Sequence, residues 1–197
     1  MASYIDAANG LADAIAALLA PDTNGVIALT GAVAKIYVGW PDKQTLDADL
    51  KTGTAHISVW PLPGERMVSV TKADMDWVET GAALASRETQ RRARAMQIGI
   101  WCNTFGARDL IGDAIEGWLA DMFRLALSDG TTALVSWTGG QLIDDKQLLN
   151  LYRRDAMVMV TYSTLQTMAA TPIEQTQVAM DAQVNGATIG SITLTTP

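Results

Sequence analysis

The stretch Arg87–Met122, "RETQRRARAMQIGIWCNTFGARDLIGDAIEGWLADM", decides how the chain reads. Its first half is a strand, Glu88 to Trp101, that begins polar and turns apolar at "MQIGIWC". Its second half is a helix from about Ala107 to Leu127. Leu110, Ile111, Ala114, Ile115, Trp118, Leu119, Met122 and Phe123 form its apolar stripe at helical spacing. Asp109, Asp113 and Glu116 fall in its early turns, suit the positive end of the helix dipole, and read as a solvated face. A long strand feeding an amphipathic helix calls for a sheet with that helix laid across it.

Outward from this stretch the elements fall into place. Residues 3–20 repeat apolar positions at helical spacing (Tyr4, Ile5, Ala8, Leu11, Ala12, Ile15, Leu18, Leu19), and Ser3 with Asp6 has the form of a capping box. Gly10 in mid-helix costs about 1 kcal/mol relative to alanine. "VAKIYVGWP" (Val33–Pro41) is a strand, and Leu46 and Leu50 suggest a helical turn or two that Gly53 ends. Thr54–Trp60 is a strand bent by Pro61, Pro63 and Gly64, and Arg66–Lys72 is a separate short edge strand. Residues 73–86 read as a loop with weak helical character. Thr131–Gly140 and Asp155–Thr167 are strands, the latter alternating Ala156, Val158, Val160 and Tyr162 against Met157, Met159, Thr161 and Ser163. "QLIDDKQLLNLYRRD" between them is a second short strand or a bulged extension. After Thr171-Pro172 there is no aromatic residue and no positive charge, and Asn185-Gly186 signals a hairpin.

The expected fold is therefore α/β (α+β). It has a single mixed, mainly antiparallel sheet with one N-terminal helix and one long central helix packed on it, plus a C-terminal β arm. The expected domains are a core over 1–170 and an extended arm or hairpin over 171–197. Val178, Met180, Val184, Ile189 and Ile192 are the arm's candidate contacts. Such an arm buries little by itself and needs a neighbouring sheet or subunit.

Composition narrows the function. The chain has 197 residues, of which 49% are apolar and only 18% charged, so it can build a core and still present an apolar surface suited to an assembly. A net charge of −7 argues against a protein that coats DNA with its whole surface. No apolar run is long enough for a membrane span, and the N-terminal segment, interrupted by Asp6 and Asp13, is not expected to be a signal peptide. The one cysteine, Cys102, reads as a small buried hydrophobe.

Catalytic chemistry is hard to assemble from these residues. His56 is the only histidine and reads as a half-exposed strand residue, so zinc has no ligand set. The acid pairs Asp47/Asp49, Asp74/Asp76 and Asp144/Asp145 have no spacing that selects a reaction. No phosphate loop or nucleophile elbow occurs. The expectation is no catalytic, metal or cofactor site. Most of the six tryptophans fall on core elements, and Trp77 is the one expected to be exposed at an interface.

One charged feature stands above background: Arg87, Arg91, Arg92 and Arg94, ahead of an apolar strand. Arg92 and Arg94 share a face with Met96, Ile98 and Ile100, whereas Arg91 lies on the other. Arg153 and Arg154 precede a similar strand, and the two strands are expected to lie side by side with their arginines at one end. These residues are subunit-interface or lumen candidates. The favoured reading is ion pairing with a neighbouring subunit, with a solvated rim or DNA contact as alternatives.

The element order, together with "VGWP", "LDADLKTGTAHISVWPLPGER" and "RRARAMQIGIWCNTFGARDLIGDAIEGWLADM", resembles the tail terminator and tail-completion (neck) proteins of long-tailed bacteriophages. The resemblance covers about residues 3–167. It implies a structural virion protein assembled in the host cytoplasm into a ring, expected to be a homo-hexamer, at the head-proximal end of the tail tube. Such a ring ends tube polymerisation and meets the tail tube protein on one side and the head-tail connector or stopper protein on the other. DNA passes its lumen without specific binding. It implies no enzyme activity, no cofactor and no membrane. The alternatives are another neck or tail component (connector, stopper or tube component), or a small-ligand-binding domain with its site at a subunit boundary.

Overall fold

The computed structural model describes residues 3–68, 78–79, 84–122, 124–143, 151–169, 176–184 and 187–196. In chain order the elements are α1 (Tyr4–Leu19), β1 (Ala34–Val38), α2 (Lys43–Lys51), β2 (Ala55–Val68), β3 (Val78–Glu79), β4 (Leu84–Cys102), α3 (Phe105–Asp121), β5 (Arg124–Ala126), β6 (Thr132–Ile143), β7 (Tyr152–Ala169), β8 (Thr176–Val184) and β9 (Ala187–Thr196). They form two units: Met1–Met75 with Glu88–Gln166, and Asp76–Arg87 with Thr167–Pro197.

The first unit is α+β, with three helices and a curled, half-barrel sheet of order β1-β2-β4-β7-β6-β5. β1 runs parallel to β2, while β2 and β4, β7 and β6, and β6 and β5 are antiparallel. Thr89 bonds to the Thr164 carbonyl near one end of the β4–β7 pair, and Arg153 lies over Trp101 near the other, so these strands also run in opposite directions.

Strand alternation builds the core. Ile57 and Val59 of β2, Met96, Ile98 and Ile100 of β4, and Ala156, Val158, Val160 and Tyr162 of β7 point to one face, where α1 and α3 cover them. Each such Ile or Val removed from water stabilises the fold by about 1.5–3 kcal/mol. Helix α1 enters through the expected capping box, with the Ser3 hydroxyl accepting from the Asp6 amide and the Asp6 carboxylate accepting from the Ser3 amide. Its Gly10 is explained by proximity: a Cβ there would lie 3.3 Å from the Ala126 carbonyl oxygen. The missing side chain lets α1 settle against β5.

Three local expectations change, and a fourth segment, open to two readings, takes one of them. The helix after Asn103 ends at Asp121, and Arg124–Ala126 is a strand, not the helix's last turn. Leu125 and Leu127 are both buried, spaced two apart as extended chain requires. The two predicted strands around Pro61 are one strand, β2, whose register with β4 shifts between Pro61 and Glu65. Within 73–86, the described residues are extended: β3 pairs with the start of β4. Of the two readings of the segment after Gly140, the extension holds for the described residues: β6 continues to Ile143, with the register shift between Trp137 and Gly139.

The second unit contains the hairpin β8–β9, which forms a sheet of its own. Its register sets Val178 opposite Leu194 and Met180 opposite Ile192, so four apolar positions share one face. Asn185 and Gly186 lie outside the described residues.

Candidate functional site

The sheet face away from α1 and α3 carries the most distinctive surface. Because Met96, Ile98 and Ile100 enter the core, Trp101 emerges on this opposite face, 3% exposed, against Leu46 and Leu50 of α2. Its ring covers Gly99, where a Cβ would sit 2.3 Å from the indole. Trp40, just past β1, meets Trp101 edge-on at 5.6 Å and Trp60 edge-on at 6.1 Å. Arg153 of β7 places its guanidinium 4.8 Å from the Trp40 ring centre and 5.1 Å from that of Trp101. Asp155 holds that guanidinium through two bonds of 2.8 Å. Beside this cluster is an open cavity of about 430 Å³, lined also by Pro41, Lys43, Leu46, Ile143 and Leu151. Aromatic faces with a pre-organised arginine are the composition of a protein-interaction hot spot.

Trp101 and Trp118 keep to the core assignment, whereas three other tryptophans depart from it. Trp40, Trp60 and Trp137 are 50%, 37% and 40% exposed. Each stands where a strand ends or shifts register, so alternation no longer dictates an inward direction. Trp77 lies outside the described residues.

His56 is not half-exposed but buried, at 2%. Its Nε2 is 2.8 Å from the Asp49 carboxylate, which can only accept, so this nitrogen carries the proton. Nδ1 then accepts from the Tyr37 hydroxyl at 3.0 Å. Asp49 is also 2.5 Å from the Lys35 ammonium. Burial holds the imidazole pKa below its usual 6.5 despite the carboxylate, and the hydrogen bond from Lys35 holds Asp49 below 3.8. Hydroxyl, imidazole and carboxylate stand in the order of a proton relay. The Tyr37 hydroxyl, however, is pushed up to about 12, by desolvation first and then by Asp49. A proton held that firmly is a poor start for nucleophilic chemistry, and the network acts as a clamp of α2 onto β1 and β2.

The predicted arginines are largely engaged within the fold. Arg91 binds Glu88 at 2.6 and 3.0 Å. Arg92 reaches Gln90 at 2.8 and 3.0 Å and Glu65 at 3.1 Å. Arg94 donates to the Leu62 carbonyl at 2.8 Å and lies 3.9 Å over the Tyr4 ring. Arg87 is also engaged. Since β4 and β7 are antiparallel, Arg91, Arg92 and Arg94 lie toward one end of the pair and Arg153 and Arg154 toward the other. The expected shared basic rim does not form.

Arg154 points to the helical face and binds Glu116 at 2.8 and 2.9 Å and Asp113 at 2.8 Å. Both acids of α3 pair with it, but only Glu116 leaves the solvated face expected of them: Arg154 and Glu116 are each 15% exposed, whereas Asp113 is 73% exposed. Gly112 makes room: a Cβ there would lie 2.4 Å from Arg154 Cδ. Sequence spacing carried no signal for this ion-pair group, nor for the Trp40–Trp101–Arg153 cluster, because both join elements distant in the chain. Of the arm candidates, Val178, Met180 and Ile192 fall in paired positions on one face and Val184 pairs with Ala187, whereas Ile189 is skipped where the register shifts.

Among the described residues no group of metal-ligating side chains converges, and no helix is long and apolar enough to cross a membrane. No known family model matches the chain, and no curated protein matches it significantly.

Proposed function

We propose that this chain is a structural protein of a long-tailed bacteriophage: a tail terminator or tail-completion protein that closes into a ring at the head-proximal end of the tail tube, expected to be a hexamer. In this reading the ring ends tube polymerisation and joins the tail to the head connector or stopper. The observation that carries it is the β8–β9 hairpin, which pairs with no other strand among the described residues. A two-stranded hairpin is marginal alone in water, so this one has reason to be completed on a neighbour. The low charge content and the exposed Trp40–Trp60 surface support a permanent assembly. The arginines support passive passage of DNA: with their guanidiniums bound to protein acceptors in an acidic chain, they offer phosphates a weak grip.

The reading assigns the chain no reaction, cofactor or membrane. Its test is native mass measurement of the purified chain, alone and with tail tube protein, followed by particle imaging. A closed ring capping the tube is the expected result. A chain that stays monomeric in both conditions, with no density at the tail–head junction, sinks it.

A further inference from the structure

We infer that the outer edge of β6, Ser136–Ile143, receives the β8–β9 hairpin of a second copy of the chain, with β9 as the added strand. This rests on the ring reading and specifies its contact. Strand β5 pairs with β6 only from Thr132 to Leu134, so beyond Leu134 the outer side of β6 has no strand partner among the described residues. The bared segment, "SWTGGQLI", has no charged residue and no proline. Ser136, Trp137, Gln141 and Leu142 are exposed along it. Within it the Gly139 carbonyl accepts from Trp137 Nε1 at 3.1 Å. An uncharged, exposed edge without a strand partner is a template for strand addition.

The donor matches. Strand β9, "ATIGSITLTT", is also free of charge and proline, is rich in β-branched residues, and among the described residues is paired only with β8. Ten residues in β9 are enough to span the bared part of β6. Docking would continue the hairpin as a three-stranded sheet with β6. Donor and acceptor are different surfaces, so the contact is heterologous and repeats head to tail, which closes a ring when the rotation fits.

Two full-length variants test this. Ser136→Lys with Leu142→Lys charges the acceptor edge at exposed positions. Thr193→Pro removes a ladder donor in β9. Each alone should weaken self-association by about tenfold or more, that is about 1.4 kcal/mol or more, in sedimentation. Mixed one to one, they should form a heterodimer, because one keeps the hairpin and the other keeps the edge. Hydrogen exchange on the wild-type chain is the second measurement: amides of Ser136–Ile143 should slow by about tenfold or more in the assembly relative to the dilute monomer. Rings formed normally by either folded variant, a mixture without heterodimer, or unchanged exchange on β6 would overturn the contact while leaving the ring reading intact. A wild-type chain that never self-associates would end both.

Discussion

β2 beyond Val59 and β6 beyond Leu134 are in the same situation. Each is a long strand whose outer neighbour stops early: β1 after Val38, β5 after a three-residue pairing. Each carries a register shift soon after it is bared. The chain treats them differently. The β2 segment, "WPLPGERMV", holds two prolines, a glycine at φ 93°, Glu65 and Arg66. It is also tied inward, with Leu62 accepting from Arg94, and Glu65 accepting from Arg92 and from the Tyr162 hydroxyl. The β6 segment has none of these charges or prolines. Prolines, charges and bulges are how natural sheets keep strangers from pairing with an edge. One edge is closed by its chemistry, and the other, among the described residues, has its bulge.

The comparison can be broken first at the support of the open edge. Gly112→Val would drive Arg154 out of its place against α3 and leave Glu116, which is mostly buried, without its cation. A cost of about 2–3 kcal/mol is expected, less than for a fully buried pair because some solvent reaches the site. Urea unfolding measures it, and a loss under about 0.5 kcal/mol would mean that Arg154 repacks freely.

A smaller effect is expected at the closed edge's side of the sheet, where the His56 clamp holds α2. Burial lowers the imidazole pKa in the folded chain, so the unfolded chain binds more protons below pH 6.5. Stability from this group is complete above that value and falls as pH drops through it. Asp49 is shifted below 3.8, and its contribution is lost only under that value. Melting temperature should therefore decline in two stages on acidification. His56→Gln should remove the first stage and keep the second; an unchanged first stage would show that another group titrates there.

The smallest effect on stability sharpens the contrast most. Replacing Pro61 and Pro63 by threonine should change folding stability by less than about 1 kcal/mol, since both stand on an edge. It should nevertheless increase concentration-dependent association of the chain, read by light scattering. If association stays at the wild-type level, the prolines are not what closes that edge.

Much of this fold is legible in the sequence. The capping box at Ser3, the alternation from Ala156 to Tyr162 and the helical stripe through Ile111, Ile115 and Leu119 are local patterns, and local patterns survive folding. The misreadings share a cause. Arg124–Ala126 continued an apolar helical rhythm, but pairing with Leu134, Ala133 and Thr132 claimed it. Pro61 reads as the end of a strand, yet β4 carries the pairing past it. His56, Arg154 and Trp40 depend on partners far away in the chain, and no spacing rule connects His56 to Tyr37 or Arg154 to Glu116. What the sequence could not express was direction: whether β4 and β7 bring their arginines together or apart depends on how the strands run.

Cys102 is the chain's only cysteine, buried at 1%, with burial pushing its thiol up to about 12. At neutral pH almost none of it is thiolate, and reagents have little access. The native chain is therefore expected to react slowly with maleimides. A single cysteine introduced at Leu142, or in β9, would be the only reactive sulfur, so a fluorophore pair split between two batches of protein can report when one copy meets the next, with no prior removal of the native thiol.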